Sequence, residues 1–211
     1  MDNKCEKCFD TPGWIIEKKD GISRAKRCTC FYKNIKNIVL GERYKNCLLS
    51  TYKPQNKTQA KIMKAIKANP KGSYFLFGDY RSGKTHLMAS QFASLLIEEK
   101  LANARWVEEV RLIKELRQKQ IEDYYQPCVD IVSVEKANFL HLFIDDLGKT
   151  KPTEFVRQEL YCLLNAVYKR NFCLSITSNF SLEVLGQEDF LGGAIVRRIE
   201  DICQEGIYSL N

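Results

Sequence analysis

The sequence predicts an α/β fold in which a parallel sheet is flanked by helices. Two short apolar runs carry this prediction, because each is typical of a buried parallel strand. Tyr74–Phe77 precedes a glycine-rich loop, and residues 139–144 precede two aspartates. Helical apolar patterns follow both runs, as an alternation of strands and helices requires. With 211 residues, of which 45% are hydrophobic, the chain can form one such domain and a small appendage.

Four cysteines near the N-terminus form C-x-x-C followed by C-x-C: Cys5, Cys8, Cys28 and Cys30. Each pair can chelate one ion, and the two pairs together can form a closed tetrahedral zinc site. The residues between the pairs suit a β-ribbon, with apolar residues 14–16 and Ile22 on either side of an Asp-Gly turn. We therefore predict a structural Zn²⁺ module over residues 1–33. A redox pair and unrelated thiols are the alternatives.

The excess positive charge lies near the N-terminus. Residues 1–57 hold 13 Lys/Arg and 6 Asp/Glu, whereas residues 58–211 hold 20 of each, and the net charge is +7. A basic module beside a neutral core indicates an anionic partner, nucleic acid first, although a solvated lysine-rich surface gives the same count. Residues 34–57 are predicted to be a basic linker containing a short helix. Its Tyr44 and Tyr52 are candidates to pack on adenine, or to anchor the linker on the core, which we favour.

The remaining domain, residues 58–211, begins with a predicted helix over 58–69, whose apolar face includes Ile62 and Ile66. Residues 104–107 are predicted to form a strand and 109–123 a charged helix. The basic residues of that helix suit a solvated face better than a nucleic-acid contact: Lys114, Arg117 and Lys119. Residues 124–138 are ambiguous and are compatible with a second short helix.

Residues 78–85 match the phosphate-binding loop pattern G-x-x-x-x-G-K-[ST]. The loop consists of Gly78, Asp79, Tyr80, Arg81, Ser82, Gly83, Lys84 and Thr85. Backbone N–H groups of such a loop surround phosphates, Lys84 brings a positive charge to the β/γ oxygens, and Thr85 offers a hydroxyl to Mg²⁺. The helix that follows, with Met88 and Phe92 on its apolar face, adds the positive end of its dipole. This pattern predicts a nucleotide site.

The buried run that ends at residue 144 delivers two carboxylates to the edge of the sheet where ligands bind. Asp145 is expected to hold Mg²⁺ and Asp146 to orient or deprotonate water, with a surface turn as the alternative. A long helix is predicted around residues 156–167, and a strand over 172–177 then leads to Asn179. Asn179 is a candidate to contact the attacking water or to cap the next helix. His86 and His141 have no metal-ligand partner at a useful spacing and are interpreted as structural.

Taken together, these motifs resemble those of AAA+ ATPases of the DnaC/DnaI helicase-loader group, with the IstB transposition helpers as close relatives. The resemblance rests on residues 78–87, the paired aspartates, Thr-Ser-Asn at 177–179 and Ile-Val-Arg-Arg-Ile at 195–199. The cysteine pattern and residues 41–46 are similar to those of zinc-bearing loaders. The resemblance covers essentially the whole chain. It implies an AAA+ P-loop NTPase fold with a reduced C-terminal lid.

The resemblance also implies roles for individual residues. The catalytic set is Lys84, Asp145, Asp146, Asn179 and Arg198, and Thr85 and Asp145 hold Mg²⁺. Arg198 would be an arginine finger that reaches the ATP of a neighbouring subunit, which requires self-association. Arg81 replaces the glycine that is usual at the middle of the loop. Asp146 replaces the glutamate common in the wider superfamily, although aspartate is seen among loaders.

The resulting hypothesis is an ATP-dependent loader of a replicative DNA helicase. Its expected cofactors are ATP, Mg²⁺ and Zn²⁺, and its expected partners are a hexameric helicase and single-stranded DNA. An IstB-like transposase-assisting ATPase and a zinc-dependent adaptor that uses ATP only as a clamp are the alternatives. No apolar run approaches the length of a membrane span and the N-terminus has no apolar signal segment, so we expect a cytoplasmic protein without a membrane partner.

Overall fold

The described chain contains a two-stranded ribbon and a five-stranded parallel sheet. The computed structural model describes residues 5–8, 13–19, 22–98, 104–122, 141–150 and 152–210. In the ribbon, β1 (Trp14–Lys19) pairs antiparallel with β2 (Ile22–Arg27). The sheet consists of β3 (Tyr74–Phe77), β4 (Ala104–Glu108), β5 (His141–Leu147), β6 (Cys173–Ser178) and β7 (Ile207–Ser209). Its spatial order is β4-β5-β6-β3-β7.

Seven α-helices are described around these strands. They are α1 (Thr29–Tyr44), α2 (Lys57–Ala68), α3 (Lys84–Ile97), α4 (Glu109–Glu122), α5 (Glu154–Lys169), α6 (Leu182–Leu185) and α7 (Gly193–Cys203). The predicted α/β class is therefore confirmed. The Asp-Gly turn, the ambiguous 124–138 segment and the first two residues of the predicted strand 139–144 lie outside the described residues. The described helices include none with both the length and the apolar character of a membrane span.

Both faces of the sheet are covered, as the continuous apolar strands predict. Phe75 and Ile144 pack into a core formed with α4, α5 and α7, whereas Leu76 and Phe143 point to the other face and pack with α1, α2 and α3. Because successive side chains of a strand alternate between faces, each short strand contributes to both layers.

Helix α3 is more deeply buried than a half-exposed amphipathic helix. All residues from 87 to 96 are buried, because the sheet covers one side of α3 and α1 covers another. Helix α1 is correspondingly part of the packed domain, and its Tyr32 and Leu40 belong to the core. The predicted boundary between residues 33 and 34 falls inside α1. The domain boundaries stay a prediction.

The strand order brings three functional segments to one edge. Strand β6 lies between β3 and β5, and Ser178 pairs with both Phe77 and Leu147 at the strand ends. The phosphate loop, the paired aspartates and Asn179 follow these three strands or lie at their ends. The register between β5 and β6 shifts between Ile144 and Leu147, which places a bulge at the two aspartates.

Candidate functional site

The phosphate loop has the backbone that its glycines predict. Gly78 and Gly83 have φ angles of +138° and +92°, which glycine adopts without a Cβ clash. Arg81 has a φ of +64°, so the chain keeps the left-handed turn at this position although it carries a side chain. A non-glycine residue there costs roughly 1–2 kcal/mol. The left-handed backbone at Arg81 is therefore a source of strain in the loop.

Gln59 of α2 supports this loop from behind. Its amide Nε2 donates to the carbonyl of Ser82 at 2.9 Å, and its Oε1 accepts from the N–H of Gln55 at 2.7 Å. A Cβ on Gly83 would lie 3.2 Å from Gln59 Nε2 and 3.3 Å from the Tyr52 hydroxyl. The loop is thus fixed by close packing against two residues that precede it in the chain. No pattern in the sequence singled out Gln59.

Lys84 is buried inside the loop. Its Nζ donates to the carbonyls of Gly78 and Asp79 at 2.9 and 2.7 Å, and contacts the Ser82 hydroxyl at 3.3 Å. Burial lowers the pKa of Lys84, and the nearby carboxylates, Asp146 foremost, partly oppose this effect. A cation held by neutral carbonyls in a partly dehydrated loop favours an anionic ligand such as phosphate.

Asp145 and Thr85 form the candidate magnesium site. The Thr85 hydroxyl donates to Asp145 Oδ1 at 3.0 Å, and the Thr177 hydroxyl donates to the same oxygen at 2.5 Å. Burial raises the pKa of Asp145 from 3.8 to about 6, and the hydrogen bond from Thr177 opposes this rise. A buried carboxylate beside a hydroxyl is the donor set that a hard divalent cation prefers. The residues therefore fit Mg²⁺.

Asp146 occupies the bulge with a φ of +60°. Its N–H donates to the Thr177 hydroxyl at 2.9 Å, so Thr177 contacts both aspartates. Its carboxylate accepts from Lys149 at 2.8 Å, and the two side chains are 30% and 57% exposed. Asp146 therefore reaches the cavity already paired with a lysine, a partner that sequence reasoning did not identify.

The Lys149 loop is itself anchored by a buried carboxylate. Glu109, the first residue of α4, is fully buried, and its Oε2 accepts from the N–H of Thr150 at 2.7 Å. Burial raises the pKa of Glu109, whereas hydrogen bonds from the backbone of residues 148–150 lower it. The start of α4 thus helps to position the loop that follows the aspartates.

A cavity of about 500 Å³ lies above the loop. Its lining includes seven predicted site residues: Tyr80, Arg81, Gly83, Lys84, Thr85, Asp146 and Asn179. Arg43, Tyr44 and His86 complete it, and Arg43 was not predicted. Ser181, rather than Asn179, caps α6 through its hydroxyl. Asn179 is therefore available to the cavity.

The two linker tyrosines differ in their surroundings. Tyr44 lines the cavity, whereas Tyr52 packs edge-on against His86 at a ring distance of 4.9 Å. Both are partly buried against the core. Burial lowers the pKa of His86, and it lowers the pKa of fully buried His141 to about 3. Both histidines are thus favoured in the neutral form and are consistent with structural roles.

Arg198 lies on α7 and does not line the cavity of its own chain. Its guanidinium donates to Asp201 at 2.8 Å and to Asn165 Oδ1 at 3.2 Å, and it lies 4.7 Å from the Tyr168 ring centroid. Arg197, the adjacent residue, is exposed. These contacts hold the Arg198 guanidinium between α5 and α7. Its role as an arginine finger stays a prediction.

The four N-terminal cysteines converge. Their sulfur atoms all lie within 4.8 Å of one another, with Cys5 3.8 Å from Cys28 and Cys8 3.4 Å from Cys30. A tetrahedral site with Zn–S bonds of about 2.3 Å has sulfur–sulfur edges of about 3.8 Å. Burial, followed by the neighbouring sulfurs, raises the pKa of Cys30 to about 12, whereas a hydrogen bond from the backbone of Lys7 is the main cause that lowers the pKa of Cys5 to about 7. The cluster fits Zn²⁺.

The fold is similar to that of several solved replication proteins. The DnaC helicase loader is 22% identical, with a TM-score of 0.67, over 81% of this chain and 100% of that chain. DnaI is 20% identical, with a TM-score of 0.58, over 79% of this chain and 88% of that chain. AMPPCP-bound DnaA from Aquifex aeolicus is 15% identical, with a TM-score of 0.61, over 81% of this chain and 50% of that chain. These similarities confirm the predicted AAA+ P-loop fold.

The comparison with curated proteins gave no match. A sequence profile of the AFG1-like ATPases, in contrast, matches residues 34–205, which include most of α1, the phosphate loop, both aspartates, Asn179 and Arg198. The match covers 172 of the 211 residues. This chain belongs to the AFG1-like ATPase family.

Proposed function

We propose that this chain is an ATP-dependent loader of a replicative DNA helicase. Membership of an ATPase family gives nucleotide hydrolysis as the general activity. The observation that carries the finer proposal is the course of α1. This helix has the zinc-ligand candidate Cys30 in its first turn and the cavity residues Arg43 and Tyr44 at its end. A recruiting module and a nucleotide site therefore lie on one segment of the chain, which has a kink at Gly41.

Two similarities of fold support the choice of process. The solved structure with a TM-score of 0.67 is described as a helicase loader, and a DnaA structure is described as bound to AMPPCP and single-stranded DNA. Those descriptions apply to those proteins. The partners proposed for this chain are a hexameric helicase and single-stranded DNA.

In the proposed reaction, the loop of residues 78–85 binds the triphosphate and Lys84 exchanges its carbonyl partners for phosphate oxygens. Thr85 and Asp145 would hold Mg²⁺, which supplies charge neutralisation at the phosphates when it is bound. Asn179 orients a water molecule from the end of β6, and Asp146 accepts a proton from it. The water oxygen bonds to the γ-phosphorus as the bond from that phosphorus to the bridging oxygen breaks, and ADP and phosphate leave. Each role uses a group that lies at the same edge of the sheet.

The zinc module is proposed to recruit the helicase. Its ribbon is basic and carries Ile16 and Ile22, which are 59% and 56% exposed and lie on opposite faces. Arg27 lies between the rings of Trp14 and Phe31, 3.6 and 4.1 Å from their centroids, and so joins the ribbon to α1. Exposed apolar residues among cations suit a protein surface with an acidic rim.

Hydrolysis is proposed to require neighbouring subunits, with Arg198 as the finger. Arg198→Ala should bind ATP normally and hydrolyse it poorly, and mixing it with Lys84→Ala should restore part of the activity. Arg197→Ala is the matched control, because it removes an adjacent exposed arginine. If Arg197→Ala shows the defect and Arg198→Ala does not, the assignment to Arg198 is wrong.

A second candidate is an adaptor in which ATP acts as a conformational clamp with negligible turnover. The ion pair between Asp146 and Lys149 favours it, because a carboxylate held by a lysine is less available to water. Steady-state ATPase measurements with and without single-stranded DNA separate the two candidates. Turnover that disappears in Lys84→Ala supports the loader, whereas ATP binding without measurable turnover supports the clamp.

The loading assay uses the full chain, a hexameric replicative helicase and circular single-stranded DNA coated with single-strand-binding protein. We expect ATP and this chain to increase the amount of helicase on the circle, and Lys84→Ala and Cys28→Ser to reduce it. Lys114→Ala, an exposed substitution on α4, is the control that should behave as wild type. An absence of helicase association across hexameric replicative helicases would refute the loader proposal.

A further inference from the structure

The outer face of α2 carries a stripe of exposed lysines: Lys57, Lys61, Lys64 and Lys67. We propose that this stripe binds the phosphate backbone of single-stranded nucleic acid. The proposal rests on the proposed function for the choice of a nucleic-acid partner. It assigns the contact to a surface different from the zinc module and from the nucleotide cavity.

The charge of this region is unusual for its length. Between Glu42 and Asp79 the sequence contains eight Lys/Arg and no Asp/Glu. Four of the eight belong to residues 58–211, namely Lys61, Lys64, Lys67 and Lys71. The even balance of 20 basic and 20 acidic residues over 58–211 conceals these four, because the acids lie elsewhere in the domain. A count averaged over the domain therefore underestimates the local field of α2.

Helical geometry puts these lysines on one side. Their spacings of four, three and three residues confine them to an arc of about 120° and separate them by about 5 Å along the axis. Ile62 and Ile66 lie on the opposite side and are fully buried, as is most of Gln59. The stripe is therefore a continuous outward face about 15 Å long.

Nearby carboxylates do not neutralise the stripe. In the part of the chain that the structure describes, no carboxylate oxygen lies within 4.0 Å of the four ammonium groups. Other exposed cations do have such partners, for example Lys26 with Glu17 and Lys45 with Glu42. Like charges three and four residues apart destabilise a helix. A polyanion relieves that repulsion.

The residues around the stripe favour a nucleic acid over a membrane as its ligand. Lys61 lies 5.7 Å from the ring centroid of Tyr208, a partly exposed aromatic residue that stacks on Tyr74. Cationic side chains that contact the backbone, beside an aromatic ring on which a base can stack, are the combination that binds single-stranded nucleic acid. A helix that inserts into a bilayer surface needs exposed large apolar residues, and the described α2 has none.

The stripe is also close to the nucleotide site through the body of α2. Gln59 on the inner face of this helix holds the carbonyl of Ser82 at 2.9 Å, and Lys57 and Lys61 lie two residues on either side of it. A strand bound to the outer face therefore contacts the same helix that supports the phosphate loop. We expect single-stranded DNA to change the ATPase rate through this helix.

The test compares two triple variants of the full chain. Lys61→Gln/Lys64→Gln/Lys67→Gln removes three charges of the stripe and keeps a good helix former at each position. The matched control is Lys114→Gln/Arg117→Gln/Lys169→Gln, which removes three exposed charges from α4 and α5 on the other face of the sheet. Circular dichroism and ATP affinity should be the same for both variants and for wild type.

Binding is measured by fluorescence anisotropy with a labelled oligothymidylate of about 20 nucleotides, in NaCl from about 50 to about 300 mM. We expect the stripe variant to lose about 10- to 100-fold in affinity at about 100 mM salt and its log–log salt slope to be shallower by about 2. The control should keep the wild-type slope. The stripe variant should also lose the effect of the oligonucleotide on the ATPase rate.

Two results would overturn the proposal while leaving the proposed function intact. One is a stripe variant with the wild-type salt slope, and the other is a control variant that loses as much affinity for oligothymidylate as the stripe variant. Tighter binding of wild type to phosphatidylserine vesicles than to oligothymidylate, lost in the stripe variant, would assign the stripe to a membrane instead. Wild type that fails to bind oligothymidylate would refute the stripe and the single-stranded DNA part of the proposed function together. Helicase association and ATP turnover test the rest separately.

Discussion

Replacing Asp145 by asparagine is expected to stabilise the folded protein while it abolishes magnesium-dependent turnover. Asp145 is 7% exposed, and its burial raises the pKa from 3.8 to about 6. The ionised carboxylate therefore costs free energy in the folded chain that it does not cost in the unfolded chain. Asparagine keeps an oxygen to accept from Thr85 and Thr177 and does not ionise.

The gain in the free energy of unfolding that Asp145→Asn gives depends on pH in a defined direction. Because the folded pKa lies above the unfolded one, the contribution of Asp145 to stability is fully present below about pH 3.8 and is lost as the pH rises through about 6. Relative to a side chain that does not ionise, Asp145 then destabilises the fold by about 3 kcal/mol at about pH 8 and by about half of that at about pH 5. We expect Asp145→Asn to raise the free energy of unfolding by up to these amounts.

The assay is urea unfolding followed by tryptophan fluorescence, at the same two pH values, without Mg²⁺ or nucleotide. Asp189→Asn, a substitution of an exposed carboxylate, is the control and should change the free energy of unfolding little at either pH. Two outcomes would show that burial does not dominate the energetics of Asp145. Either Asp145→Asn is only as stable as wild type at the higher pH, or its gain in the free energy of unfolding is no smaller at the lower pH.

Three further substitutions test other parts of the site. Lys149→Gln should raise basal ATPase activity about twofold, because an exposed ion pair with Asp146 is worth about 0.5 kcal/mol, whereas Lys149→Arg should not. Arg81→Gly should raise the free energy of unfolding by about 0.5–1 kcal/mol by removing a left-handed side chain, and a decrease would contradict the strain argument. Cys28→Ser should reduce the zinc content of the purified protein below about half an equivalent by elemental analysis, and full retention would exclude a zinc site made of four cysteine ligands.

Local patterns were sufficient to predict the main elements of the fold. The apolar run Tyr74–Phe77, the glycine loop and the helix after it are contiguous, so their periodicity and turn residues specify them without tertiary information. The run that precedes Asp145 behaves in the same way. The convergence of the four cysteines followed from spacing alone, because each pair is short enough to chelate.

The residues that support the site were not predictable, because their roles arise from tertiary packing. Gln59 precedes the loop by about twenty positions and meets it only when α2 packs beside β3. Thr177 contacts both aspartates because β6 lies beside β5 in the sheet. Glu109 is an ordinary helix-start residue in the sequence and becomes an anchor for Thr150 only in the fold.

The sequence was less informative in segments of low periodicity. Residues 31–57 were predicted to be a short helix and linker, and the helix α1 buries Tyr32 and Leu40 in the core against α3. The buried ammonium group of Lys36 donates to the carbonyl of Lys45, which directly follows α1. A basic, weakly apolar sequence can thus be a core element when its few apolar side chains fall on one face.

The break in α1 has a mechanical consequence. Gly41 departs from helical geometry with a φ of +64° and a ψ of −174°, between buried Leu40 and Arg43 in the cavity wall. Glycine tolerates a change of backbone angle there at little steric cost. A shift of Arg43 or Tyr44 when the cavity is filled can therefore be accommodated by a rotation of the backbone at Gly41. The N-terminal end of α1, which carries Cys30, then keeps its packing. A residue that restricts the backbone angles at position 41 would couple the movements of the two ends of α1.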